Sequence, residues 1–390
     1  MIKIKGIQKE KFSNKKILLR LDLNIPLSES GVILDDTRII ESRASIDFLL
    51  DQGSKVIVIS HIGRPKGKYV ESLSFKHLLK EIESRLERDI VFINFEDQSD
   101  ALKIIDSHKN GTLFMMENLR FNPGEENNDK NFIKFLSSIS DVYINDGFGT
   151  IHRNHASITG ITTEKISFGG ILLEKEIQNI SECILSKAKR STAILGGAKI
   201  SDKIPIIENL SKSFDSIVVS GGMIRPFLLA SKKITKSSID SDSKEIEIAN
   251  KILSYNQKLF IPDQLICSKS IDEEPILLHA SQITDSDNIY DIGPNSLMEV
   301  SDRILNSDKI IWNGPPGVFE KDNFQNGTKT IIKSIVDSQA KIKLAGGGST
   351  VAAINYFNAS EYFSHISTGG GAFLSLLEGK YLEGIEVLKQ

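Results

Sequence analysis

Lys343–Thr350 reads K-L-A-G-G-G-S-T, and Ser364–Ala372 echoes it downstream as S-H-I-S-T-G-G-G-A. Each is a short apolar or alternating run that breaks into three glycines. Each is followed by helix-favouring residues, Val351–Ile354 and Ala372–Leu377. That order reads as strand, tight turn and helix N-terminus. Backbone N–H groups at such a turn lack an intrahelical partner, and the helix dipole adds partial positive charge, so an anion fits there. Glycine removes the Cβ that would keep a phosphate away from the backbone. A single turn of this kind also occurs as a plain connection. Two of them, with glycine pairs upstream at Gly196–Gly197 and Gly221–Gly222, favour a nucleotide phosphate site.

Outward from these turns the chain repeats one rhythm. Apolar, β-branched runs such as Lys16–Leu21, Lys55–Ser60, Thr112–Met116, Asp141–Asn145, Thr192–Leu195, Ser216–Ser220, Lys309–Trp312 and Lys341–Ala345 read as buried strands. Amphipathic stretches such as Thr37–Gln52, Leu73–Glu87, Asn131–Ser138, Ile204–Leu210 and Gly327–Ser338 read as helices between them. Strands alternating with helices predict an α/β fold with parallel sheets flanked by helices. Ligands in such folds lie off the carboxyl ends of the strands, where every glycine turn falls. Apolar residues at helical spacing from Ile171 to Ile184 predict a long helix joining two halves, and the Ser-rich stretch Thr235–Lys244 reads as a solvent loop.

The bulk numbers fit that outline. A chain of 390 residues exceeds one ordinary core, so two domains are expected. Lysine and arginine total 48 against 51 acidic residues, a near balance that points to no nucleic acid and no membrane surface as partner. Cys183 and Cys267 stand far apart without a C-x-x-C pattern, which suggests a reducing compartment. The first residues carry no apolar leader-like run, so a cytoplasmic location is expected.

The two halves differ in chemistry. Arg20 and Asp22 (R-L-D-L-N-I-P), Arg38 (D-D-T-R-I), His61 and Arg64 (S-H-I-G-R-P-K-G), Arg120 (E-N-L-R-F) and Arg153 (G-T-I-H-R-N-H) lie in the first half. An arginine-rich face suits a small phosphorylated or carboxylated substrate, because guanidinium pairs bidentately with oxyanions. The second half carries the glycine turns with Lys199 and Lys203 in G-G-A-K-I-S-D-K. Glycine and lysine together suit a nucleotide's phosphates. Phosphoryl transfer between the two halves is the expected reaction. Trp312, ending an apolar run, reads as core.

Taken in order, these motifs resemble those of phosphoglycerate kinases. D-I-G-P, W-N-G-P-P-G-V-F-E and S-T-G-G-G-A-F-L-S-L-L-E-G-K complete the set, which runs from near residue 20 to near residue 380. The resemblance implies two Rossmann-like domains joined by a long interdomain helix with a hinge. It places an N-terminal phosphoglycerate-binding domain at 1–168, joined by the C-terminal segment 374–390. The helix would cover 169–188 and a nucleotide-binding domain 189–373. It implies a monomer that reversibly transfers the acyl phosphate of 1,3-bisphosphoglycerate to ADP, giving 3-phosphoglycerate and ATP, with Mg2+ carried by the nucleotide. Asp22, Leu23, Asn24, Arg38, His61, Ile62, Gly63, Arg64, Arg120 and Arg153 would hold the phosphoglycerate. Lys199, Lys203, Gly221, Gly222, Gly293, Asn313, Pro315, Glu320, Gly347, Gly348, Ser349 and Thr350 would meet the nucleotide. Arg38, Lys199, Gly347 and Gly370 would surround the group in flight. Hinges are expected near Gly169–Gly170 and Thr368–Gly371.

One position departs from the pattern. The family has aspartate after the glycine triplet, as the protein ligand to magnesium, where this chain has Ser349. Arg225, Pro226 and Pro316 also replace residues usual in the nucleotide half. The competing expectation is therefore a weakened paralogue that binds phosphoglycerate or nucleotide in a regulatory role.

Overall fold

The computed structural model describes residues 2–94, 98–234 and 243–389. Most of the expected solvent loop at Thr235–Lys244 lies outside the described residues. The chain divides into two compact units, Met1–Gln178 with Tyr381–Gln390, and Asn179–Lys380.

The first unit is built on six parallel strands: β1 (Lys16–Arg20), β2 (Lys55–Ile59), β3 (Ile90–Ile93), β4 (Leu113–Met116), β5 (Val142–Asn145) and β6 (Ser167–Gly169). Their order across the sheet is β3-β4-β2-β1-β5-β6. The strands are apolar on both faces because both faces are covered. Ile17, Leu19, Val56 and Val58 pack with Phe75, Leu78 and Ile82 of the helix Phe75–Leu86. The alternate residues Leu18, Ile57, Ile59 and Phe114 pack with Phe132, Phe135 and Leu136 of the helix Lys130–Ser138. The chain leaves β1 toward β2 on one side, and β5 and β6 fill the other. The carboxyl ends of β1 and β5 therefore flank the point where the winding reverses.

The second unit holds β7 (Ser191–Gly196), β8 (Ser216–Ser220), β9 (Leu259–Phe260), β10 (Gln264–Ser268), β11 (Ile276–His279), β12 (Asn288–Ile292), β13 (Lys309–Asn313), β14 (Ile342–Gly346) and β15 (His365–Ser367). Six of them form a parallel sheet in the order β15-β14-β13-β7-β8-β9. Winding starts at β7, runs outward through β8 and β9, and resumes at β13 on the other side. That is the doubly wound dinucleotide-fold order, with its crevice between β7 and β13. Trp312 is fully buried in this unit's core, as its apolar context implies. A separate antiparallel sheet, β11-β10-β12, was not apparent in the sequence. Three of the four β11 residues are exposed, so it lacks the buried apolar run that marks the other strands.

The helix Ile171–Leu185 carries the chain from one unit to the other. Its start is tied into the first unit: Ser45 Oγ accepts from Ile171 N–H at 2.8 Å, and Asp146 Oδ1 accepts from Leu173 N–H at 2.9 Å. The return of the chain starts at Tyr381 rather than at residue 374. Leu376 and Leu377 are buried in the second unit, where Asn209 Nδ2 donates to the Leu377 carbonyl at 2.9 Å. Beyond Tyr381, Leu382, Ile385 and Leu388 are buried, and Lys5 N–H donates to the Leu388 carbonyl at 2.8 Å.

Asp146 yields a pH-dependent expectation. Burial pushes its carboxyl up to about 6, against the pull of Ser45 and the Leu173 and Leu172 N–H groups. A raised carboxyl pKa means the folded state keeps its proton where the unfolded chain has lost it. Stability from this group therefore falls as pH rises from about 4 to about 6, and the cost is complete above that window. Asp146→Asn keeps an acceptor and drops the charge. It is expected to stabilise the protein by about 3 kcal/mol at pH 7.5 and hardly at all at pH 4, read by urea unfolding at both pH values. Equal effects at both would show that the charge is not responsible.

Candidate functional site

At the β1/β5 crevice of the first unit, the loop after β1 places Asp22 and Asn24. Arg38, from the first turn of the helix Thr37–Asp51, donates Nη1–H to the Asn24 carbonyl at 2.9 Å and pairs with Asp22 Oδ2 at 3.1 Å. Asn24 Oδ1 accepts from Gly63 N–H at 2.9 Å, which links the loop after β1 to the loop after β2. The Gly63 carbonyl accepts from Arg120 Nη1 at 2.7 Å, and Arg120 Nε pairs with Glu126 at 3.2 Å. Gly63 has φ +63°, and a Cβ there would meet Leu73, so the turn requires glycine. Leu23 and Ile62 are buried and anchor these loops from beneath. Arg64 is exposed, Arg38 and Arg153 are partly so, and Arg120 is buried.

The electrostatics tie these groups into one cluster. Burial is the main force holding His61 well below the usual histidine range, and the charges of Arg20, Arg153, Arg38 and His155 add to it. Arg153 is pushed down by burial first; Asp22 opposes this while Arg20 and Arg64 add to it. His61 is therefore a neutral ring among arginines. Its Nδ1 lies 3.2 Å from Arg20 Nη2, and its Nε2 is buried with no partner among the described residues. Concentrated positive charge with an unpaired donor suits a phosphate.

The second site sits off β7, β8, β13 and β14. Strands β7 and β13 end so close together that a Cβ on Gly196 would lie 2.6 Å from the Gly314 carbonyl oxygen. Gly221, with φ +66°, and Gly222 back onto Gly197 and Ala198. Asn313, at the tip of β13, donates Nδ2–H to the Gly346 carbonyl at 2.7 Å and accepts from Lys203 Nζ. Gly314 N–H donates to Thr350 Oγ1 at 2.7 Å, so the β13 and β14 turns are pinned to each other. Burial lowers the Lys203 ammonium from the usual lysine value, with Asp202 and Glu378 opposing. Lys199 is exposed. Gly347 precedes the helix Gly348–Tyr356, and the space in front of Gly348 is open. Gly370 lies next to this turn: a Cβ on it would be 3.9 Å from Gly347 Cα and from Gly348 N. The two glycine triplets thus form one cradle of backbone donors beside a lysine.

Gly347 has φ +98°, and a Cβ there would lie 2.5 Å from Asn313 Nδ2. Gly347→Ala is expected to cost about 1–3 kcal/mol of stability through backbone strain. The loss is read by urea unfolding of the variant against wild type. Unchanged stability would show that Asn313 yields to the added methyl group without cost.

Comparison with known proteins agrees with this layout. The family model described as phosphoglycerate kinase matches residues 7–380. The chain belongs to the phosphoglycerate kinase family. The phosphoglycerate kinase of Dictyoglomus turgidum is 38% identical over 391 residues, covering 99% of this chain and 98% of that protein. That of Prosthecochloris aestuarii is 39% identical over 383 residues, covering 96% of each. Among solved structures, phosphoglycerate kinase from Coxiella burnetii aligns with a TM-score of 0.88 at 31% identity, covering 99% of both chains. The enzyme from Pyrococcus horikoshii aligns with a TM-score of 0.85 at 28% identity, covering 99% of this chain and 98% of that one. The chain is a phosphotransferase of this family, with the family's two parallel-sheet α/β units.

The phosphoglycerate kinase motifs also single out Pro315, Glu320 and Gly293. Pro315 follows the crossing of Gly196 and Gly314, and its carbonyl lies near both Gly196 and Gly221. Glu320 is exposed, and Gly293 is buried where β12 ends, backing onto Gln264. The fit for a protein-held magnesium ion is poor. Ser349 is exposed and offers a neutral hydroxyl, a weaker ligand for this ion than a carboxylate. Among the described residues no group of three His, Cys, Asp or Glu side chains forms a metal site. No helix among them is long and apolar enough to cross a membrane.

Sequence reading passed over three groups of the first site. Arg20 was noted but given no role, and Ser157 and Glu125 were not singled out. All three are buried and joined by hydrogen bonds. The signal in the sequence was a charge ending the apolar run K-I-L-L-R.

Proposed function

We propose that the first unit binds 3-phosphoglycerate and 1,3-bisphosphoglycerate and the second binds ADP and ATP. The observation that carries this is the charge pattern at the two crevices. One holds arginines around a neutral histidine with an unpaired donor. The other holds glycine turns and Lys203. The reaction is the reversible transfer of the acyl phosphate of 1,3-bisphosphoglycerate to ADP.

In this reading Asp22, Asn24 and Arg38 hold the carboxyl end of the substrate. His61, Arg64, Arg120 and Arg153 hold its distal phosphate. Lys203, Asn313 and the backbone of Gly347–Thr350 hold the nucleotide phosphates, Gly221, Gly222 and Pro315 line the base slot, and Glu320 takes the ribose. Phosphoryl transfer asks little covalent chemistry of a protein. It asks for in-line placement and positive charge around the equatorial oxygens. Arg38, Lys199 and the N–H groups near Gly347 and Gly370 supply that charge once both ligands are bound. Magnesium arrives on the nucleotide, where it would neutralise phosphate charge, and Ser349 contributes no more than a hydroxyl to it. The enzyme works as a cytoplasmic monomer.

Transfer requires both ligands to be brought in line with water excluded, because water would hydrolyse an acyl phosphate. Closure about Gly169–Gly170 and Thr368–Gly371 is expected when both ligands bind. Small-angle scattering with 3-phosphoglycerate and a non-hydrolysable ATP analogue should give a smaller radius of gyration than either ligand alone. An unchanged radius would count against closure. Steady-state turnover of 3-phosphoglycerate and ATP tests the reaction itself, and binding without turnover would overturn it.

A further inference from the structure

Arg20 ends β1 and is 1% exposed, so its guanidinium is directed inward. Its Nε–H donates to Ser157 Oγ at 3.0 Å, and Nη1 donates to the Leu21 carbonyl and to Ser60 Oγ. Its Nη2 reaches His61 Nδ1 at 3.2 Å. Ser157 passes the chain on, its Oγ–H donating to Glu125 Oε1 at 2.6 Å and its backbone N–H to Glu125 Oε2 at 3.0 Å. Glu125 is fully buried, so the Arg20 charge is balanced through one serine hydroxyl. Tyr143 closes the network, donating its hydroxyl to the Ser157 carbonyl at 2.6 Å.

Donor counting fixes the protonation of His61. A guanidinium has donors only, so His61 Nδ1 accepts and the ring hydrogen sits on Nε2. A doubly protonated ring would set one N–H against another. Nε2–H is then a buried donor with no partner among the described residues, beside the arginine cluster. A buried donor without a partner is costly unless a ligand completes it.

We propose that Glu125, Ser157 and Arg20 form a positioning relay that locks His61 in its Nε2–H tautomer, so that the ring offers a neutral hydrogen bond to a phosphate oxygen of the substrate. The proposal rests on the reading of the first unit as the phosphoglycerate site. The arginines already provide the charge, and the relay adds direction without adding a further cation.

Nitrogen-15 NMR of the His61 ring, in the full chain labelled at histidine, tests this directly. The ligand-free protein is expected to show the Nε2–H tautomer from pH 5.5 to 8.5. Adding 3-phosphoglycerate is expected to shift the Nε2–H resonance downfield. Ser157→Ala is expected to mix the tautomers and weaken 3-phosphoglycerate binding about tenfold, with ADP affinity unchanged. Ser157→Thr, which keeps the hydroxyl, is expected to restore both. An Nδ1–H or doubly protonated ring in the wild type overturns the relay, and that measurement needs no variant to fold. A Ser157→Ala protein with wild-type affinity for 3-phosphoglycerate overturns it as well. If the free ring shows the expected tautomer but the wild type fails to bind 3-phosphoglycerate, the substrate assignment fails and takes the proposal with it.

Discussion

Arg38→Ala is expected to lower kcat by about 1,000-fold while leaving ADP affinity and fold intact. Arg38 is held at the mouth of the first crevice by Asp22 at 3.1 Å and by the Asn24 carbonyl at 2.9 Å. These contacts use Nη1, on a guanidinium side chain that keeps 27% of its surface exposed. A fixed, partly open guanidinium has lost little freedom still to be lost in the transition state, which makes its charge effective there. Arginines placed on a phosphoryl group in flight are worth about three to five powers of ten in rate. The structural cost is small. Asp22 is not left alone without Arg38, because it stays within the field of Arg153. Arg38→Lys should recover charge without the planar fork and regain only part of the rate. The measurement is kcat and KM in both directions, with thermal unfolding as the control for folding. A kcat within tenfold of wild type would mean that Arg38 is only a binding group.

The fold was legible from elements whose burial is simple. β14 and β13 are short apolar runs that break at Gly346 and Asn313, and hydrophobic pattern alone finds such strands. His61 could be singled out because it follows the buried strand β2 and precedes a Gly-containing turn. What the sequence hid depends on contacts between distant residues. Arg20 and Ser157 are 137 residues apart, and Ser157 and Glu125 are 32 apart. No local pattern marks a serine as the bridge between two buried charges. The antiparallel sheet β11-β10-β12 was hidden for the opposite reason: Ile276 and Leu277 are about half exposed, so the strand reads like a loop. The bound of the C-terminal return is equally hidden: Ala372–Leu377 is apolar enough to join either unit, and only its packing against the region of Asn209 sets it with the second.

Ser349→Asp is expected to weaken the binding of metal-free ADP and to strengthen the binding of magnesium-loaded ADP. Position 349 is exposed in the first turn of the helix Gly348–Tyr356, at the turn that receives the nucleotide phosphates in the proposed site. A carboxylate about 5 Å from a phosphate charge, at an effective dielectric constant of about 20, is repelled by about 3 kcal/mol. Metal-free ADP should therefore bind the variant about 10- to 100-fold more weakly than wild type, after allowance for solvent screening. With Mg2+ on the nucleotide the same carboxylate meets a hard cation that prefers oxygen ligands, and repulsion becomes attraction of similar size. The wild type, with a hydroxyl at this position, should bind ADP with less than about a threefold difference between magnesium and chelator, because neutral oxygen contributes little to either state. Titration of ADP into both proteins, with magnesium and with EDTA, reads the four affinities without relying on turnover. If the wild type already requires magnesium for tight ADP binding, another group must hold the ion. Asp202 and Glu378, the carboxylates whose fields reach Lys203, are the first to replace. If the four affinities follow the expected order, the serine leaves this member of the family to take its metal from the nucleotide with little hold of its own.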